Sequence, residues 1–120
     1  EGMFEDVYGD GAVEKEFLHK RKKMWSILKS RGLEFDLNMF LETSYNKEFD
    51  DLLHKKVGYD TMRMLFRDII YSPYAATSIR EYFANGFEAF FIREDIKRLK
   101  DLSPSLYKKI IILMDKKDEI

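Results

Sequence analysis

The side chains best suited to chemistry gather in one stretch, Tyr74-Ala75-Ala76-Thr77-Ser78-Ile79-Arg80-Glu81-Tyr82-Phe83-Ala84-Asn85-Gly86-Phe87. A phenol, Tyr74, stands seven residues before a carboxylate, Glu81, and two aromatics follow that carboxylate directly. The chain has no cysteine, so thiolate metal sites, cysteine nucleophiles and disulfide scaffolds are excluded, and any metal would need His, Asp or Glu. Glu81 is one such group. It has a second reading, because Ser78-Ile79-Arg80-Glu81 fits a capping box in which serine and glutamate bond each other's backbone amides at a helix start. Tyr74 likewise reads either as a functional phenol or as a loop tyrosine covering a core.

The offsets carry a family resemblance. Tyr74, Glu81, Tyr82, Phe83, Ala84 and Phe87 resemble the C-terminal metal-ligand helix of the anthrax lethal-factor-like zinc metallopeptidases, a gluzincin group, and the likeness runs loosely through Arg98-Leu99-Lys100 and Pro104 over residues 72–115. The resemblance implies that Glu81 is the third protein ligand of a catalytic zinc and that Tyr74 hydrogen-bonds the oxyanion of the tetrahedral intermediate. The family often has a second Glu one turn after the ligand, where this chain has Asn85. Its remaining ligands and general base sit in a His-Glu-x-x-His helix. The two histidines here, His19 and His54, are followed by Lys20-Arg21-Lys22-Lys23 and by Lys55-Lys56-Val57-Gly58, and neither begins such a motif.

Two functions follow from this mismatch. In the first, the chain is the C-terminal part of a zinc-dependent metallopeptidase-like domain, incomplete by itself, which needs zinc, the rest of its parent polypeptide or a partner chain, and a protein or peptide substrate. In the second it is a catalytically inactive structural or interaction module, for instance a processed component of a larger assembly such as a phage particle. A plain helical scaffold is a third reading. The start at Glu1, without initiator Met or apolar signal region, reads as a processed or partial piece.

Other constellations carry less. The basic run 19–23 reads as a solvated helix face, with no interleaved aromatics to stack bases, so nucleic acid is not an expected partner. Asp50-Asp51 and Asp6 with Asp10 read as surface charge, lacking a calcium-loop ligand ladder. Lys and Arg number 21 against 22 Asp and Glu, so no global field favours a polyanion or a membrane surface, and no apolar run is long enough to span a bilayer.

The elements that must position Tyr74 and Glu81 are helices. Six glycines and two prolines in 120 residues, with abundant Leu, Lys, Glu, Phe and Ile, predict a mostly α chain of about six helices with irregular connections, a partial zincin-like domain. An acidic glycine-bearing arm occupies residues 1–11, followed by helices over 12–30, with Leu18, Trp25 and Leu28 on one face, and over 36–41. Residues 1–46 form the arm and N-terminal helices, and 47–120 the C-terminal helical subdomain of a single domain. Further helices are expected over 47–56, from Asp60 as N-cap to Ser72-Pro73, over 78–91 with Ile79, Phe83, Phe87 and Phe90 as the stripe, over 94–102, and over 106–114 launched by Ser103-Pro104. The charged tail 115–120 is expected to fray.

Overall fold

The computed structural model describes residues 11–92 and 96–118, and among these every regular element is helical. The acidic arm, Asp6 and Asp10 lie outside the described residues, as does Glu94. Among the described residues seven α-helical segments follow one another: α1 (Gly11–Ser30), α2 (Leu37–Phe40), α3 (Lys47–Asp51), α4 (Tyr59–Leu65), α5 (Ile79–Ile92), α6 (Ile96–Leu102) and α7 (Pro104–Asp118). A π-helical turn, Leu52–Val57, continues α3, and a 3₁₀ turn, Pro73–Ala76, leads into α5. Among the described residues, no helix is long and apolar enough to cross a membrane.

The helix ends follow local chemistry. α1 closes on Gly32 at φ 86°, whose amide donates to Lys29 O at 3.0 Å while that of Leu33 donates to Leu28 O at 3.0 Å. This is the paired C-terminal cap that a left-handed glycine permits. Asp36 and Asn46 cap α2 and α3 by accepting from the backbone of Asn38 and Phe49. The π turn ends with the Gly58 amide on Leu53 O at 2.8 Å, a five-residue closure, and Gly58 has φ 90°. An L-residue with a Cβ is strained there.

Two buried clusters lie along α1. One gathers Val13 and Phe17 with Ile79, Tyr82, Phe83, Leu99, Leu106 and Ile110. The other gathers Met24 and Leu28 with Phe40, Phe49, Leu53, Met62, Phe66 and Ile70. Each large apolar side chain removed from water contributes roughly 1.5–3 kcal/mol before chain entropy is set against it.

Several expectations need correction. The basic run is not wholly a solvated face: Lys20 is 6% exposed and Arg21 1%, and both point into the interior. Leu18 and Trp25 are only half-buried on α1, whose inward face is carried by Val13, Phe17, Met24 and Leu28. In α4, Asp60 is not the N-cap but stands in the first turn, ion-paired with Arg63 at 2.9 Å. The buried phase there is Met62, Phe66 and Ile70, whereas Met64 is 71% exposed. α7 continues past Met114 to Asp118, because each new residue adds a backbone hydrogen bond without a new nucleation cost.

Candidate functional site

Tyr74 and Glu81 stand at the two ends of one rigid unit, the 3₁₀ turn and the first turn of α5. Thr77 fastens the turn, its Oγ1 and its amide both donating to Tyr74 O at 2.9 and 3.1 Å. Ser78 caps α5, its Oγ accepting from the Glu81 amide at 3.1 Å. The Ile79 amide donates outside the helix, to Thr43 O at 2.8 Å. The unit is therefore bonded both within itself and to the 41–46 connection.

Arg21 is the main clamp. Its Nε donates to Ala76 O at 2.6 Å, Nη2 to Thr77 O at 3.0 Å and Nη1 to Phe40 O at 3.1 Å. The guanidinium lies 4.7 Å from the Phe17 ring centroid and 4.1 Å from that of Phe49. Burial lowers its pKa, with a smaller opposing pull from Glu42. A planar fork with five donors can serve three carbonyls and two ring faces together, which an ammonium cannot.

Tyr74 itself is 56% exposed. Its ring meets that of Tyr59 edge-on at 5.2 Å, and Tyr59 meets His54 on the π turn at 5.0 Å. Asp50, a surface charge, accepts from the Tyr45 hydroxyl at 3.1 Å and from the Tyr59 hydroxyl at 3.4 Å. Burial, and then the Asp50 charge, push the Tyr59 pKa up to about 12. The Tyr59 phenol thus remains a protonated donor through neutral pH.

Glu81 is exposed on α5. Only half of the expected capping box forms: the serine accepts from the Glu81 amide, and among the described residues the return bond from the Ser78 amide to the Glu81 carboxylate is not made. Helix capping therefore leaves the carboxylate available. Asn85 turns its Oδ1 into a buried position without a hydrogen-bond partner among the described residues.

A third residue was missed from the sequence. Glu16 on α1 accepts from the Tyr82 hydroxyl at 2.5 Å and from the amides of Ser105 and Leu106 at 2.7 and 3.3 Å. A carboxylate from 89 residues away thus satisfies open donors in the first turn of α7, where the helix dipole favours negative charge. The signal was present in Lys15-Glu16-Phe17-Leu18-His19, read from its last residue instead of its first. That segment has a Glu three residues before a His, and a lysine directly before the Glu. Lys15 and His19 are exposed, while Glu16 turns toward α5 and α7.

The zinc implied by the resemblance would need donors beyond Glu81. A catalytic zinc takes three protein ligands, and among the described residues no group of three His, Asp or Glu side chains could hold a metal ion. Glu81 offers one ligand.

Fold and site together define a small all-α domain in which a buried arginine holds a turn-and-helix unit that presents a phenol and a carboxylate. No family model, curated protein or solved structure matches the chain.

Proposed function

We propose that the chain is the C-terminal helical part of a zinc-metallopeptidase-like domain, presenting Glu81 as a metal ligand and Tyr74 as an oxyanion donor to a site that other residues must complete. The observation that carries this reading is the pairing of two exposed groups with an unusually well-fastened support. Tyr74 and Glu81 face solvent, yet the carbonyls of Ala76 and Thr77 between them are bound by a fully buried guanidinium. Fixed placement of a donor and a ligand is what transition-state stabilisation requires, and surface residues without a role do not require it. The two histidines and the base would come from the parent polypeptide or from a partner chain.

One observation favours a second reading, the inactive structural or interaction module. Glu16, the one glutamate at the motif's offset from a histidine in α1, is bonded to Tyr82 and to the start of α7, and Lys15 offers no imidazole. A base so engaged cannot take a proton from water without giving up a helix cap.

Peptide mapping of native material by mass spectrometry separates the two. Under the first reading a His-Glu-x-x-His peptide is found covalently upstream of Glu1 or on a co-purifying chain. Glu81→Gln and Tyr74→Phe then each abolish proteolysis by that assembly while leaving its melting temperature in place. A native N-terminus at Glu1, with no such motif on any partner, overturns it in favour of the second.

A further inference from the structure

Three tyrosines from three places in the chain gather around one carboxylate. Tyr45 precedes α3, Tyr59 opens α4, Tyr74 stands in the 3₁₀ turn, and the carboxylate is Asp50 on α3. The two oxygens of Asp50 are each taken by a different phenol, Oδ2 by Tyr45 and Oδ1 by Tyr59. The planes of Tyr59 and Tyr74 cross at 78° with ring centroids 5.2 Å apart, so their faces wall a nearly right-angled corner. Solvent reaches it: Tyr45 is 58% exposed and Tyr74 56%, while Tyr59 and Asp50 are half-buried.

The negative charge of this cluster is unmatched. Asp51, next in the chain, has Lys47 at 2.9 Å and Lys55 at 3.9 Å, whereas among the described residues no basic side chain pairs with Asp50. The rings are unmatched as well. Elsewhere the protein covers its own aromatic faces with cations: Lys29 lies 5.0 Å from the Trp25 ring centroid, Arg98 4.9 Å from that of Tyr71 and Lys100 5.8 Å from that of Tyr107. Among the described residues none lies over Tyr45, Tyr59 or Tyr74. An aromatic face attracts cations, and a phenol that donates its proton to a carboxylate has a more electron-rich ring.

We propose that this corner binds a methylated ammonium group carried by a small molecule, its methyls against the faces of Tyr59 and Tyr74 with the Tyr45 ring beside them, and Asp50 supplying the opposite charge. A quaternary ammonium has no N–H, so it asks no acceptor of a carboxylate whose oxygens already serve two phenols. Its charge is spread over methyl surface, so it leaves water at smaller cost than the compact, strongly hydrated ammonium of a lysine. Surfaces that are both apolar and electron-rich suit that combination. The ring of Tyr74 serves here, whereas an oxyanion needs its hydroxyl, so the two roles separate by mutation.

The test is NMR titration of the full 120-residue chain with tetramethylammonium and choline, against ammonium and neohexyl alcohol, the uncharged carbon isostere of choline. The two methylated cations are expected to saturate with a Kd on the order of 1 mM. Protein shifts should centre on Tyr45, Asp50, Tyr59 and Tyr74, and ring currents should move the N-methyl protons upfield. Each control lacks either the charge or the methyl surface and is expected to bind about tenfold more weakly. Tyr74→Leu, at an exposed position, is expected to weaken choline binding about fivefold with an unchanged melting temperature, and Asp50→Asn to weaken it by about as much. Tyr74→Phe keeps the ring and is expected to bind like the parent, although it removes the hydroxyl on which proteolysis would depend. Sedimentation with phosphatidylcholine vesicles, competed by free choline, distinguishes a lipid headgroup from a soluble molecule as the source. Equal affinity for neohexyl alcohol, a non-saturating titration, N-methyl resonances that do not move upfield, or a Tyr74→Leu variant that binds like the parent would overturn the proposal.

Discussion

Replacing Arg21 with methionine tests how much of this fold rests on one polar side chain. Methionine keeps the unbranched stem and removes the guanidinium together with its contacts to the Phe17 and Phe49 rings. The carbonyls of Phe40, Ala76 and Thr77 then each lose a charged donor at 2.6–3.1 Å in a region that water does not reach. Each unsatisfied group costs about 1–3 kcal/mol, and the two ring contacts are together worth about 1–2 kcal/mol. Against this, the mutant no longer carries the desolvation cost of a buried cation, so the net loss is about 3–5 kcal/mol. That is a large share of the roughly 5–15 kcal/mol by which domains are stable. Urea unfolding followed by far-ultraviolet circular dichroism measures the change. Lysine at the same position can reach only part of the carbonyl set and is expected to lose about 2–3 kcal/mol, remaining folded. In that variant, amide hydrogen exchange at Thr77–Arg80 should quicken before exchange in α7 does. A methionine variant within about 1 kcal/mol of the parent would refute the clamp.

Other outcomes follow from single contacts. Glu16→Ala should cost about 1–3 kcal/mol by urea unfolding, with exchange quickening first at Ser105 and Leu106, whose amides it bonds. The Tyr82 hydroxyl, buried and beside Glu16, has a pKa raised well above the ordinary value of 10.0, first by burial and then by that carboxylate. A group whose folded pKa is raised stabilises fully below its unfolded pKa and loses that contribution above it, so thermal stability should fall as pH rises beyond about 10. Tyr82→Phe should flatten that fall. A Cβ on Gly86 would stand 2.4 Å from Leu106 Cδ2. Gly86→Ala should therefore destabilise by about 1–3 kcal/mol despite alanine's better helix propensity, and Leu106→Ala in the same chain should make the added methyl favourable. A double-mutant cycle by urea unfolding reads that sign change.

The helical class was legible because it depends on what the chain lacks: with few breakers, Gly32 and Ser103-Pro104 punctuate plainly. The support of the candidate site was not legible. Hydropathy assigns Lys20 and Arg21 to water, yet Lys20 donates to the carbonyls of Ile69 and Leu102, and burial lowers its pKa to about 8. Nothing within a helical window reveals that a carbonyl 49 or 82 residues away will replace that water. The π turn hid for a related reason. Its register departs from 3.6 residues per turn and Gly58 at φ 90° ends it, so α4 starts a phase of its own in which Met62 and Phe66 are buried and Met64 is exposed. Glu81 was visible by spacing, and so was its competing role as a cap; only the geometry of Ser78 shows that half of the cap is unused.

The polar groups on α1 also bear on the order in which the chain assembles. Glu16 reaches partners 66 and 89 residues later and Arg21 reaches carbonyls 19, 55 and 56 residues later, so their full set of bonds forms only once α5 and α7 are in place. Closing such long loops costs entropy before any contact repays it, which places the docking of α1 late in folding. Until then Lys20, Arg21 and Glu16 interrupt what would otherwise be an unbroken apolar stripe. The same side chains that later lock the interior keep the waiting helix hydrated and unattractive to its neighbours, a protection against aggregation during synthesis that an all-leucine face would lack.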